Sequence, residues 1–175
     1  IVNQYSASAS EILASAMQDY NRAIVVGSIQ TFGKGTVQRF INLDQFLPKA
    51  QKNYSPIGSL KLTIQKFYRI NGESTQYRGV IPDIILPFVN DYDDIGERSL
   101  DNYLEWDTIS KANYNQLERD TKLIDILKEN SETRVTKNQY FKEIMQRRDI
   151  LEAKEQKSFI SVNKKKFIEK AIFEY

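Results

Sequence analysis

The chain has no histidine and no cysteine. A Ser-His-Asp or Cys-His arrangement built from these residues is therefore excluded, and a serine nucleophile would need lysine or a carboxylate as its base. Disulfides and thiolate sites go with the cysteines, and a structural zinc has no histidine or cysteine to hold it. No apolar run approaches the length of a membrane span, and no signal peptide is visible. Charge of neither sign dominates: 25 basic residues stand against 23 acidic ones, a net +2. The lysines are interspersed with acids, which gives no argument for nucleic acid. There is no internal repeat and no low-complexity segment.

What remains is a chain of 175 residues, 41% hydrophobic and 27% charged, able to bury one moderate core with an appendage. Residues 1–90 read as mixed α/β. Ile1 to Tyr5 is apolar and β-prone, and Leu13, Ala16, Met17 and Tyr20 recur at helical spacing, which predicts a strand turning into a helix with that stripe buried. Asn21 is a plausible left-handed terminator, and Ala23-Ile24-Val25-Val26-Gly27 has the continuous apolar character of a buried parallel strand. Thr36 to Leu43 and Ser59 to Ile70 alternate as strands do, with a loop or short helix over Asp44 to Gly58. Asn71-Gly72 is a hairpin signal that predicts a return strand through Thr75 to Arg78, and Pro82 and Pro87 bracket a short apolar stretch that closes the core.

The strand-to-helix junction falls at Ser6-Ala7-Ser8-Ala9-Ser10-Glu11. A serine there sits beside orphan N–H groups at the positive end of the helix dipole, where developing negative charge is favoured. That suits a nucleophile whose attack creates an oxyanion, with the Ala9 N–H as one donor. Ser8-Ala9-Ser10-Glu11 equally fits a capping box, in which serine and glutamate only satisfy the first turn.

The second notable stretch is Gly33-Lys34-Gly35-Thr36-Val37-Gln38. Glycines on both sides let the backbone take a tight course that can aim the amine inward. A lysine serves as base only where desolvation or a neighbouring cation favours its neutral form, so this reading requires a shielded ammonium with few carboxylates near it. A flexible turn with a solvent-facing lysine is the alternative. A phosphate loop fails on spacing: five residues separate Gly27 from Gly33, and Gly35 stands where a magnesium-binding hydroxyl should be.

Together these stretches resemble the catalytic core of the carboxy-terminal processing peptidases, the S41 serine peptidases with a Ser/Lys dyad. Further matching pieces follow in order: Ala16 to Tyr20, Ala23 to Gly27, Thr63 to Arg69 and Gly79 to Ile84. The resemblance is nearest to the tail-specific protease branch and continues weakly into Asp101-Asn102 and Trp106-Asp107. It implies a mixed α/β peptidase core of the ClpP/crotonase-like type, with Ser8 as nucleophile, Lys34 as general base, Gln38 orienting the lysine and the Ala9 N–H at the oxyanion. Ser6 and Ser10 become neighbours without that role, and Asp19 takes a structural one. It further implies substrates with unstructured C-termini, no metal or nucleotide cofactor, and a periplasmic or cell-envelope location. The loop Ser28 to Thr31 is one residue longer than is usual in the family, an insertion expected at the surface. Residues 1–90 are then expected to be the C-terminal part of an S41 core in a truncated chain, with a PDZ domain and the second oxyanion donor in preceding sequence.

From Asn90 the composition shifts. Asp91 to Gly96 reads as a linker, and residues 91–175 as a charged helical extension. Leu117 to Asn130 and Gln139 to Lys157 predict amphipathic helices, and Asn163 to Tyr175 a third element. Lys164 to Lys166 reads as a solvated face. The hairpin from Ser59 to Arg78 offers edges of the sort that hold an unstructured tail by strand addition, although an ordinary structural hairpin fits equally. A non-catalytic interaction module, its extension docking a partner, is the reading from another class.

Overall fold

A computed structural model describes residues 1–156, 162–165 and 168. The opening unit is strand-like backbone, helix, short strand. Residues around Val2 make a parallel bridge to Gly27 without extending into a strand. Helix α1 spans Ala9–Asp19, β1 spans Val26–Gly27, and β4, Ile84–Ile85, pairs parallel with β1. Between them β2, Thr36–Asn42, and β3, Ser59–Lys66, form an antiparallel ribbon with a bulge after Val37. Two 3-10 turns, Leu43–Phe46 and Lys49–Tyr54, occupy the connection between those strands.

Helix α1 ends where Asn21 turns left-handed, at φ 54°. The Arg22 N–H bonds to Met17 O at 2.8 Å and the Asn21 N–H to Gln18 O at 3.1 Å, the paired bonds of a Schellman stop. The face that α1 buries differs from the expected one. Glu11, Ala14, Ser15 and Asp19 are inside, whereas Leu13 and Met17 are exposed. The polar residues win the inner face because Glu11 and Asp19 have charge-assisted partners there, and those bonds hold the helix by that side. The small apolar core is Val2, Ala14, Val25 and Val80.

The hairpin expectation also needs correction. Asn71-Gly72 does turn the chain, and Tyr68 bridges Ser74, but Thr75 to Arg78 forms no return strand. The partner of β3 is β2 along its whole length. The ribbon puts Val37, Ile41, Leu60, Leu62 and Ile64 towards solvent or half-buried positions, so its apolar alternation is not used to fill this core.

Beyond Asn90, residues 100–120 are mostly irregular and run as a strap over the first half of the chain. Thr108 bridges Glu73, the Ile109 N–H bonds to Gly72 O, and the Ala112 N–H bonds to Ile70 O. At the far end of α1, Asn21 Nδ2 donates to Leu117 O and Gln116 Nε2 to Asp19 O, while the Tyr20 and Tyr114 rings meet edge to face. Helices α2, Thr121–Lys137, and α3, Gln139–Glu155, follow, each capped by a side chain: Asp120 accepts the Leu123 N–H, and Asn138 accepts the Tyr140 N–H. Phe141 and Ile144 of α3 close one side of a 320 Å³ cavity whose other side is Tyr5 and Leu86 to Asn90. Most of the third predicted element, including Phe167, Ala171 and Ile172, lies outside the described residues. Lys164 and Lys165 are exposed.

Candidate active site

Ser8 is the residue before α1 and has φ 55° and ψ −113°. A side chain there is strained, and such strain persists only where surrounding bonds over-determine it. A sharp turn from extended backbone into a helix, with the serine at its apex, is also how nucleophile elbows present a hydroxyl. Ser8 is half-buried and the neighbouring Ala9 exposed, which leaves the approach open. No acceptor among the described residues takes the Ala9 N–H. The other two serines are committed to local bonds. Ser6 Oγ accepts from the Asn3 N–H at 3.1 Å, and Ser10 Oγ donates to Ala7 O at 2.8 Å.

The restraint on Ser8 comes from Glu11, whose side chain is fully buried. Its Oε2 accepts the Ser8 N–H at 2.7 Å, the glutamate half of a capping box. The same oxygen accepts the Lys34 N–H at 2.9 Å, and Oε1 accepts the Gly33 N–H at 2.7 Å and the Thr31 hydroxyl at 2.5 Å. One carboxylate thus carries four donors from two segments, an arrangement that offsets the cost of burying its charge. A further bond, from the Phe32 N–H to Ser6 O at 3.0 Å, lays the two segments side by side. The glutamate of the helix cap therefore also joins the backbones of the two stretches.

Thr31 extends this network. It is fully buried, accepts the Val80 N–H on its hydroxyl at 2.7 Å, and donates its own N–H to Val80 O. The loop from Ser28 to Thr31 is consequently anchored at both ends by buried residues, with Ile29 exposed between them. Neither Thr31 nor Gln76, which accepts the Gly35 N–H at 2.8 Å, stood out in the sequence. Isolated polar residues carry no periodic signal, and their burial is visible only once distant segments are brought together.

Lys34 is half-buried and takes part in no ion pair among the described residues. Gly33 has φ 89°, and a Cβ there would fall 2.6 Å from Tyr77 O, so the glycine is required by both conformation and space. Gln38 lies four residues on, exposed in β2 opposite Thr63, and no hydrogen bond joins its amide to Lys34. Asp19 is buried two or more turns along α1, paired through both oxygens with Arg69. No group of three or more His, Cys, Asp or Glu residues suited to a metal is present among the described residues.

Comparison with known proteins defines the class to which this arrangement belongs. Residues 1–86 match peptidase family S41, and the chain belongs to that family. Residues 90–172 match the C-terminal domain of tail specific protease, which places the chain on the tail-specific branch. The chain is 42% identical over 168 residues to "Tail-specific protease" of Haemophilus influenzae, covering 94% of this chain and 24% of that protein. It is 42% identical over 86 residues to "Carboxy-terminal-processing protease" of Bartonella bacilliformis, covering 49% of this chain and 17% of that one. A "Carboxyl-terminal-processing protease" of Picosynechococcus is 38% identical over 88 residues, covering 50% of this chain and 18% of its own length. The chain thus spans no more than about a quarter of the length of these relatives.

Proposed function

We propose that these residues form the Ser/Lys part of the catalytic core of a serine endopeptidase that cleaves near protein C-termini, on a core of the ClpP/crotonase-like type. Ser8 is the nucleophile and Lys34 the base, with Gln38 orienting the amine and the Ala9 N–H directed at the oxyanion. Neutral Lys34 takes the Ser8 proton as Oγ bonds to the peptide carbonyl carbon. The carbonyl oxygen becomes the oxyanion. Collapse breaks the C–N bond as the leaving amine takes the proton from Lys34; the again neutral Lys34 then takes a proton from a water whose oxygen bonds to the acyl carbon, and Ser8 Oγ leaves with that proton. Substrates are polypeptides with unstructured C-termini, gated by a PDZ domain elsewhere in the full-length protein, at the periplasmic or envelope face. Residues 1–90 act as the core segment and 91–175 as its helical extension.

The observation that carries this reading is the Glu11 carboxylate, which holds the backbones of Ser8 and Lys34 on one oxygen. Support also comes from the strained Ser8 turn, the free Ala9 N–H and the family to which the chain belongs. The test is fluorophosphonate labelling of the full-length protein between pH 7 and 10. Labelling is expected on Ser8 alone, abolished by Ser8→Ala and reduced about a thousandfold by Lys34→Ala. A Lys34→Ala protein labelled at the parent rate overturns the mechanism.

A further inference from the structure

The loop that carries Lys34 is held from two sides, by Glu11 on one and by Gln76, backed by a residue of the second half of the chain, on the other. The N–H groups of Gly33 and Lys34 end on Glu11, as described, but the Gly35 N–H ends on Gln76 Oε1. Gln76 is fully buried, and its amide can accept from Gly35 only while its NH2 group finds an acceptor of its own. That acceptor is Glu97 Oε1, at 3.0 Å from Gln76 Nε2. The backbone of Glu97 engages the same loop directly, its N–H bonding to Phe32 O at 2.8 Å. Glu97 lies inside the segment that matches the C-terminal domain, outside the S41 match.

The turn carrying Gln76 is clasped by the same part of the chain. Trp106 Nε1 donates to Ser74 O at 2.9 Å, the Arg78 guanidinium lies 3.6 Å over the Trp106 ring, and Tyr103 packs on Tyr77. Tyr77 in turn donates its N–H to Gly33 O at 2.7 Å. Two routes therefore run from residues 97–106 to the two glycines flanking Lys34. A side chain that only tethered the extension would have no reason to end on a buried amide bonded to this loop.

We propose that Gln76 and Glu97 are positioning residues for Lys34, so that the C-terminal extension completes the peptidase site by fixing where the lysine backbone stands. This rests on the reading of Lys34 as the base. Without the Glu97 carboxylate, the Gln76 NH2 group is buried without a partner, the amide turns to find one, and the Gly35 N–H loses its acceptor. The amine of Lys34 then sits away from Ser8 Oγ, and because transfer rates depend steeply on such placement, the chemical step suffers before substrate binding does.

The test compares Glu97→Ala, Glu97→Gln and Lys34→Ala in the full-length protein, read by peptide kcat and KM, by fluorophosphonate labelling of Ser8 and by thermal midpoint. Asp94→Ala serves as control, since it breaks the exposed Asp94–Arg98 pair in the same segment without touching Gln76. Glu97→Ala is expected to lower kcat and labelling rate about tenfold with KM within a factor of about two. Glu97→Gln keeps an acceptor oxygen and is expected to recover most of that loss, and Asp94→Ala to match the parent. Should Glu97→Ala not accumulate as folded protein, Glu97→Asp, whose shorter arm withdraws the acceptor, must show the same fall in kcat. Parent-level kcat in a folded Glu97→Ala or Glu97→Asp protein, or failure of Glu97→Gln to recover activity, overturns the proposal while leaving a lysine-dependent mechanism standing. Parent-level labelling of Lys34→Ala overturns both together.

Discussion

The side chain of Glu11 holds Lys34 by its backbone: the Lys34 N–H donates to Oε2 at 2.9 Å, and the same carboxylate keeps Ser8 in its strained turn. A residue that first reads as half of a helix cap thereby ties the two candidate stretches together. Glu11→Gln preserves size but replaces one acceptor oxygen by a donor facing two donors. The expected loss is about 2–3 kcal/mol of stability, and Glu11→Ala, which orphans every donor, should lose more. Urea unfolding of the two variants checks this. A Glu11→Gln midpoint equal to the parent's would mean that the four bonds contribute little.

Glycine substitutions separate strain from collision. Gly33→Ala forces a Cβ against Tyr77 O at a positive φ, whereas Gly58, also at positive φ, has nothing within 4 Å of its notional Cβ. Gly58→Ala is expected to cost about 1 kcal/mol from conformation alone, and Gly33→Ala at least twice that with displacement of the Lys34 loop. Similar unfolding midpoints for the two would contradict this account of the loop.

The Asp19–Arg69 pair joins the end of α1 to the segment after β3, with only 6% of the Asp19 side chain and 13% of that of Arg69 exposed. Arg69→Ala leaves a buried carboxylate uncompensated and is expected to destabilise by about 3–5 kcal/mol. Adding Asp19→Asn to it should restore part of the loss, a non-additivity that a double-mutant cycle measures directly. Strict additivity of the two substitutions would show that the charges do not interact.

Acid should loosen the strap. The hydrogen bond from Lys66 to Asp107 is the main cause holding that carboxyl below the ordinary aspartate value, aided by the Tyr68 hydroxyl at 3.0 Å. A group depressed in the folded state stabilises it above the unfolded value and loses that contribution as pH falls through the folded one. The adjacent Trp106 is the single tryptophan of the chain, so its emission reports the change. An acid transition below the ordinary aspartate range is expected, moving upward in Lys66→Met. A transition unmoved by that substitution would assign it to another carboxylate.

Much of the local structure was legible because short-range signals report it. The left-handed stop at Asn21 ends α1 as read, the alternation of Thr36 to Leu43 and Ser59 to Ile70 marks β2 and β3 to within a few residues, and the charged amphipathic runs give α2 and α3. Helix α2 starts four residues later than the spacing predicts, because Leu117 continues the apolar pattern while its backbone is engaged with Tyr20. The return strand that Asn71-Gly72 predicts is absent for a comparable reason. A turn signal states that the chain reverses, but not what the returning backbone bonds to: past the Tyr68–Ser74 bridge, the N–H groups of Ser74 and Tyr77 go to Asp107 O and Gly33 O instead of to β3.

By itself the sequence determined α1, the two long strands, the two C-terminal helices, the excluded chemistries and the two stretches that meet, since absent histidines, cap residues and glycines flanking a lysine act within a few residues of backbone. Only the tertiary structure decided that α1 turns Glu11 and Asp19 inward and leaves Leu13 and Met17 outside, and that a residue of the extension reaches the lysine loop through Gln76. Those outcomes depend on partners twenty to sixty residues away. Hydrophobic spacing along one helix says which face is apolar, but a buried carboxylate with four donors can outweigh that preference, and the donors come together only when the chain has folded.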